Sequence, residues 1–234
     1  LQRLELGRLQ VEATEEGFRL RTAHVQAPDL ERRRQDRVVA PHQDRRRFRP
    51  LDLPTLFPER GPILILLVGG FADDAALQRP LPYWEDDPGG GYLVWQALAL
   101  AGLLHKKDAD FALGRGGFWD VAPPRTLGLA MTYVGYRRAG EALAFDHVVH
   151  PWNLHRLQTL LEGCWARSMG RLKVVTLGEA ARFMMCGTAY PMPGIPVLSI
   201  PEPTQEHLER NLGNDSTAGQ WLEFASDLLA IGRG

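Results

Sequence analysis

The segment ILILLVGG at residues 63–70 decides the fold class. It is an unbroken apolar run over residues 63–68, followed by two glycines. A strand with water on one face alternates apolar and polar side chains, so an unbroken run predicts a strand buried on both faces. Such strands belong to parallel sheets that carry helices on both sides. The two glycines predict that a turn follows this strand directly.

Strands and helices alternate along the rest of the chain. Further strands are predicted at residues 129–134 (LAMTYV), 172–177 (LKVVTL) and 197–200. Amphipathic or apolar helices are predicted at residues 92–104, 153–169, 179–185 and 217–230. This alternation predicts an α/β fold, a three-layer α/β/α sandwich with a mainly parallel four-stranded sheet. Function in such sheets collects at the carboxyl ends of the strands, here residues 69–74, 133–138, 178–179 and 201–204.

Length and charge divide the chain into two parts. A chain of 234 residues with 44% hydrophobic residues can form one ordinary domain with an extension. The net charge of −1 is a cancellation, because residues 1–60 hold 13 arginines against 10 acids and residues 61–234 hold 14 basic against 18 acidic residues. We therefore predict an Arg-rich extended N-terminal arm over residues 1–60 and a folded domain over residues 61–234.

Most of the positive excess lies in residues 31–49, with eight arginines against three acids. This stretch has too few apolar residues to fold on its own. It is either a solvated linker or a segment that orders against phosphates or an acidic partner surface. The arginines predicted to bind nucleic acid or a partner are Arg32, Arg33, Arg34, Arg37, Arg45, Arg46, Arg47 and Arg49.

Several other classes of protein are disfavoured by the sequence. No apolar run approaches the ~20 residues that span a bilayer, so we expect a soluble protein with no membrane partner. Cys164 and Cys186 are predicted to be buried free thiols in a reducing compartment. We expect no metal, since neither CxxC nor HExxH occurs, and no cofactor, since the glycine-rich stretches lack the residues of a phosphate-binding loop.

Five segments share a resemblance to one family. LILLVGG, PGGGYLVWQALALAGL, LGLAMTYVG, LKVVTLGEAA and VLSIPEPT occur in that order within residues 62–230. Together they resemble the uracil-DNA glycosylase superfamily, and most closely its mismatch-specific branch. The resemblance implies the glycosylase fold and an ancestral chemistry in which a damaged base is flipped out of the duplex and its glycosidic bond is hydrolysed.

The resemblance also assigns three chemical positions, and all three are changed. Phe71 stands where the family's first motif has an Asn or Asp that handles water, and phenylalanine cannot orient water. Tyr133 stands where many members have an Asn that reads the base edge. Glu202 stands where an uncharged or positive side chain supports the leaving base. We therefore expect no catalytic residue, with Asp73 as the fallback base if the turn is rebuilt.

The sign of the charge near these positions gives an independent argument. The family's signature loops face DNA, whose nonspecific affinity depends on cations that displace counterions. Here those loops are acidic, and DNA is not expected to bind at the ancestral cleft. The acidic residues are Asp73, Asp74, Glu85, Asp86, Asp87, Glu202, Glu206 and Glu209.

Two functional hypotheses follow. The first is a non-catalytic glycosylase-fold protein that serves as a structural subunit of a large ribonucleoprotein assembly, such as a mitochondrial ribosome. Its basic arm would anchor it to RNA or neighbouring proteins, and its location would be mitochondrial, with the cytoplasm or nucleus as alternatives. The second hypothesis is an active, divergent uracil or mismatch DNA glycosylase of base-excision repair.

Overall fold

The structure is a computed structural model. It describes residues 3–6, 9–14, 17–22, 53–84, 90–114, 124–137, 151–186, 194–203 and 218–234. The chain divides into two compact units, Leu1–Pro50 and Leu51–Gly234. The eight arginines of residues 31–49 lie outside the described residues, so their predicted binding role stays a prediction.

The first unit contains a three-stranded antiparallel sheet. Its strands are β1 (Arg3–Leu6), β2 (Leu9–Thr14) and β3 (Gly17–Thr22), in that order across the sheet. The segments LQVEAT and GFRLRT alternate apolar and polar residues, which is the period of a strand. These strands lie within the range of residues 1–60 for which an extended arm was predicted.

The boundary between the two units also differs from the prediction. Strand β4 (Thr55–Leu56) pairs antiparallel with a strand of the main sheet, and Leu53 and Leu56 are buried. Residues 53–60 thus belong to the second unit, and the division falls at residue 50 instead of residue 60. This segment is ordered although it has few apolar residues, because β4 pairs with the edge of the main sheet and Leu53 and Leu56 are buried there.

The four strands predicted for the main sheet are confirmed. They are β5 (Ile65–Ala72), β6 (Leu129–Tyr136), β7 (Lys173–Leu177) and β8 (Val197–Ile200). Together with β4 they form, among the described residues, a sheet of five strands in the order β4-β6-β5-β7-β8. Strands β6, β5, β7 and β8 are parallel neighbours and β4 is antiparallel, so the sheet is mixed and five-stranded instead of four-stranded.

Strand β5 extends beyond its apolar run. Gly69 and Gly70 lie inside the strand and not in the turn predicted for them, and Phe71 pairs with Gly135 of β6. The turn begins only after Ala72. The two glycines are therefore needed for something other than a change of chain direction.

Five α-helices are present among the described residues. Four correspond to predicted helices, and the short α2 was not predicted. None of the described helices combines the length and apolar character required to cross a bilayer. Their bounds are α1 (Gly90–Leu100), α2 (Lys106–Ala112), α3 (Pro151–Arg167), α4 (Gly178–Cys186) and α5 (Ala218–Arg233).

Alternate side chains of β5 enter two separate cores. Ile65 and Leu67 belong to a first core, and Leu66 and Val68 belong to a second. The first core includes residues of α1 and α5, among them Trp95, Leu98, Trp221 and Ala225. The second includes residues of α3 and α4, among them Leu157, Leu161, Ala181 and Met184. The predicted burial of both faces of this strand is confirmed, and the unit is an α/β fold.

Candidate functional site

The carboxyl ends of the parallel strands meet at one edge of the sheet, which we call the carboxyl edge. It comprises residues 69–74, 133–137, 178–179 and 201–203 of the described chain. The three positions that the resemblance singled out all lie on this edge, and two of them, Tyr133 and Glu202, lie beside successive glycines of β5. Tyr133 pairs with Gly69 across the sheet, and Glu202 lies against Gly70.

A pair of tyrosines occupies the first part of this edge. The ring centroids of Tyr83 and Tyr133 are 5.0 Å apart at an interplanar angle of 44°. The backbone N–H of Tyr83 donates to the Tyr133 hydroxyl at 2.8 Å, and the indole N–H of Trp95 donates to the Tyr83 carbonyl at 2.8 Å. Tyr83 is 9% exposed and Tyr133 is 5% exposed. Both rings are therefore held within the first core.

The Tyr83 ring lies directly over the backbone of Gly69. A Cβ atom built on Gly69 would be 2.7 Å from two ring carbons of Tyr83, closer than carbon atoms can approach without a shift. Glycine is required here for close approach, which explains a glycine inside a strand. Tyr83 itself has a φ of 56°, in the left-handed region that L-residues other than glycine rarely adopt. Its contacts with Tyr133, Trp95 and Gly69 hold it in this conformation.

The Glu202 side chain occupies the second part of the edge. Glu202 follows β8 and is half-buried. A Cβ on Gly70 would be 2.7 Å from its Oε1 atom, and a Cβ on Gly178 would be 3.2 Å from its Oε2 atom. Its carboxylate therefore lies between the ends of β5 and β7, where two glycines leave room for it.

Phe71 lies within β5 instead of in a loop. It is half-buried and packs against the second core. Its ring offers no hydrogen-bonding group, so this position contributes packing to the sheet and no means of orienting water.

Asp73 and Asp74 form the turn after β5. The Oδ1 atom of Asp73 accepts the backbone N–H of Ala76 at 2.7 Å, and the hydroxyl of Tyr136 donates to Asp74 Oδ1 at 2.5 Å. Both carboxylates are exposed. Aspartate in this position stabilises a turn by accepting a backbone N–H a few residues on. Asp73, the predicted fallback base, is thus engaged in local backbone structure.

Cations that the sequence argument omitted also lie at this edge. Arg137 directly follows β6, and Arg182 of α4 forms an ion pair with Glu179 at 3.5 Å. Acidic residues 85–87, 206 and 209 lie outside the described residues. Within the described chain, no group of three His, Cys, Asp or Glu side chains could hold a metal ion.

A buried polar network beneath Tyr133 was missed by the sequence analysis. The Nδ2 atom of Asn153 donates to the Val134 carbonyl at 2.8 Å, and its Oδ1 accepts from Arg156 Nε at 3.2 Å. The Arg156 guanidinium also donates to Thr132 Oγ1 at 2.8 Å and to the Tyr133 carbonyl at 2.7 Å. Asn153 and Thr132 are fully buried. A polar pair three residues apart on an otherwise apolar helix face was the available signal.

The two cysteines occupy different environments. Burial raises the pKa of the Cys164 thiol to about 12, although the nearby Arg167 guanidinium acts in the opposite direction. Cys186, at the end of α4, is exposed. The prediction that both thiols are buried is therefore wrong for Cys186, because the apolar face of α4 does not include its last residue.

Comparison with known proteins gives no family assignment. Neither the models of protein families nor the curated proteins provide a match to this chain.

Proposed function

We propose that this chain is a non-catalytic protein with the three-layer fold of the uracil-DNA glycosylases, acting as a structural subunit of a ribonucleoprotein assembly. The observation that carries the proposal is the occupation of the carboxyl edge by the chain's own side chains. Tyr83 packs on Gly69 against Tyr133, and Glu202 packs on Gly70 and Gly178.

The topology supports the fold named in the proposal. Strands β6, β5, β7 and β8 are parallel neighbours, with one core of helices against each face of β5. The five segments of the resemblance fall on β5, α1, β6, the β7–α4 junction and β8. Each is therefore placed on an element of the α/β unit.

The geometry at the carboxyl edge argues against base excision. A glycosylase needs space for an extruded base and a polar group that handles water. Here Tyr83 and Tyr133 are buried against each other, and the position assigned to water handling is the ring of Phe71. Asp73, the fallback base, accepts the backbone N–H of Ala76. The arrangement favours a retained scaffold without the ancestral reaction.

The separate N-terminal unit supports a role in an assembly. It contains the arginines of residues 31–49, whose charge can displace counterions from RNA or complement an acidic protein. A ribosome, and in particular a mitochondrial one, is the setting that we propose. The folded unit would then provide shape and contacts instead of catalysis.

A base-excision assay tests the loss of catalysis. The full chain is incubated with single- and double-stranded DNA containing uracil, and abasic sites are cleaved with alkali. We expect no strand breaks above the buffer level, with an active glycosylase as the positive control. Strand breaks that disappear in both D73A and D73N would instead establish the active-enzyme alternative.

Sedimentation tests the proposed assembly. We expect the full chain to sediment with ribonucleoprotein particles in a cell extract, and R45Q/R46Q/R47Q to remain near the top of the gradient. The control K106Q/K107Q removes exposed charge from α2 and should sediment with the particles. A deletion variant should end at residue 50, because Leu53 and Leu56 are packed in the second unit. Equal sedimentation of all variants contradicts the anchoring role.

A further inference from the structure

An open depression lies at the opposite edge of the sheet, where the parallel strands begin. Its volume is about 220 Å³. We call it the amino-edge pocket. Its lining residues are Leu64, Gly170, Arg171, Leu172, Lys173, Gly194, Pro196, Arg233 and Gly234.

Three basic residues from different parts of the fold are among the residues that line this pocket. Arg171 lies between α3 and β7, Lys173 begins β7, and Arg233 ends α5. Lys173 Nζ donates to the Ile231 carbonyl at 3.0 Å, and Arg233 Nη1 donates to the Gly102 carbonyl at 2.7 Å. These bonds to neutral acceptors position two cations and leave each with further N–H donors.

The described residues that line the pocket include three basic side chains and no Asp or Glu. Arg171 is exposed, and its side chain has no hydrogen-bond or ion-pair partner within the part of the chain that the structure describes. Residues 61–234 hold 14 basic against 18 acidic residues, so this cluster has the opposite sign to the sequence around it.

Two of the lining residues are glycines with a left-handed backbone. Gly170 and Gly194 have φ values of 76° and 96°, and a Cβ atom on either would have no neighbour within 4 Å. Both are therefore glycine for backbone conformation. Leu64 and Pro196 provide apolar wall on the same pocket.

We infer that the amino-edge pocket binds a phosphodiester group of RNA. Arginine presents a planar fork of donors that matches phosphate, and lysine adds a compact charge. Neutralising phosphates with such side chains releases counterions and provides sequence-independent affinity. The choice of RNA as the source of the phosphate rests on the proposed function. The pocket would give the folded unit an RNA contact separate from the arginines of residues 31–49.

Fluorescence anisotropy with a labelled single-stranded RNA tests this inference. The full chain is used in an R45Q/R46Q/R47Q background, so that those arginines do not dominate binding. We expect R171E to weaken RNA binding on the order of tenfold, and R171Q to lower the slope of log K against log salt by about 0.7. The matched control is R137E, which makes the same change of charge at an exposed position of the carboxyl edge. Circular dichroism and thermal melting confirm that each variant is folded.

The outcomes distinguish a failure of the phosphate-site inference from a failure of the proposed role in an assembly. Equal loss of affinity in R171E and R137E, or no loss in R171E, overturns the inference. Competition by inorganic phosphate that is abolished by R171E supports a phosphate site, and stronger competition by polyglutamate than by unlabelled RNA overturns the choice of RNA. If R171E selectively loses RNA affinity but the chain does not sediment with ribonucleoprotein, the proposed function fails and the pocket stands.

Discussion

The two edges of one parallel sheet differ in packing and in charge. At the carboxyl edge, Tyr83 and Tyr133 are buried against Gly69, and Glu202 lies against two glycines. At the amino edge, Arg171, Lys173 and Arg233 line an open depression. Ligands of open α/β sheets usually bind at the carboxyl edge. Here part of that edge is packed like a core around Tyr83 and Tyr133, while Asp73, Asp74 and Arg137 of the same edge are exposed.

Helix dipoles account for part of this difference. Helix α4 begins at Gly178, on the carboxyl edge, and the negative charge of Glu202 beside Gly178 is favourable there. Arg167 and Arg233 end α3 and α5, where a positive charge is favourable. Arg171 lies outside any helix, so the dipoles do not explain its position. Glu202, Arg167 and Arg233 therefore carry charges that the helix dipoles favour, whereas the charge of Arg171 has no such role in the fold.

The largest expected effect on stability comes from removing the Tyr83–Tyr133 pair, and it tests whether the carboxyl edge is packed as a core. We expect Y133A to lower the free energy of unfolding by about 3 to 5 kcal/mol, because it removes a buried ring and the acceptor of the Tyr83 backbone N–H. Urea denaturation measures the loss. RNA affinity should not change beyond the loss of folded protein.

Two variants separate packing from hydrogen bonding in that experiment. Y133F keeps the ring, removes the hydroxyl and should cost about 1 to 2 kcal/mol. F224A removes a ring that is 38% exposed and should cost less than Y133A. A loss below about 1 kcal/mol in Y133A would show that the carboxyl edge is loosely packed, contrary to its burial.

The glycine contact is the next test. We expect G69A to destabilise the unit by about 1 to 3 kcal/mol, since a methyl group cannot fit against the Tyr83 ring. The control is G163A in α3, where a Cβ would be 3.5 Å from Phe57, an ordinary contact, and alanine favours the helix by up to about 1 kcal/mol. The melting temperature should therefore fall in G69A and rise in G163A. A neutral G69A would disprove the close approach.

The elements that were predictable from sequence are those with a strong hydrophobic pattern. The unbroken apolar run at residues 63–68 predicted a strand buried on both faces, and the β-branched residues within 172–177 predicted a second strand. Strand β4 was missed because two residues carry no periodicity, and its pairing depends on the edge of β6.

The site was harder to predict because its geometry depends on contacts distant in sequence. Tyr83 was not singled out, since nothing local indicates that it packs on Gly69 and Tyr133. Gly69 was interpreted as a turn residue, whereas its role is steric. The basic pocket joins Arg171 to Arg233, which are adjacent only after α5 packs on the sheet. Tyr133 and Glu202 were singled out by the resemblance in sequence, and the structure shows which residues lie beside them.

The buried thiol of Cys164 provides a smaller test, which measures how the stability of the α/β unit depends on pH. Burial raises the pKa of Cys164 to about 12 from its ordinary 9.0, so the unfolded chain loses this proton before the folded one does. Its contribution to stability is complete below pH 9 and is lost between pH 9 and pH 12, by about 1.4 kcal/mol per pH unit. Between pH 8 and pH 10, the wild type should therefore lose about 1.4 kcal/mol more than C164A in urea denaturation.

Cys186 provides an accessible thiol for comparison, because it is exposed whereas Cys164 is buried. In the native protein, a thiol reagent at pH 8 should modify Cys186 and spare Cys164 until the chain unfolds. Equal pH dependence in the wild type and C164A would contradict the burial of this thiol.

The smallest expected effect on stability is that of R171E at the amino edge. This measurement decides how a loss of RNA affinity in R171E is interpreted. R171E should change the free energy of unfolding by no more than about 0.5 kcal/mol, because the side chain is exposed and has no partner among the described residues. A small change in stability together with a large loss of RNA affinity means that the charge acts on a ligand. If instead R171E destabilised the unit by more than about 1 kcal/mol in urea denaturation, Arg171 would be part of the fold's own electrostatics. The charges at both edges of the sheet would then stabilise the fold, and the two edges would differ only in that one is packed and the other forms an open depression.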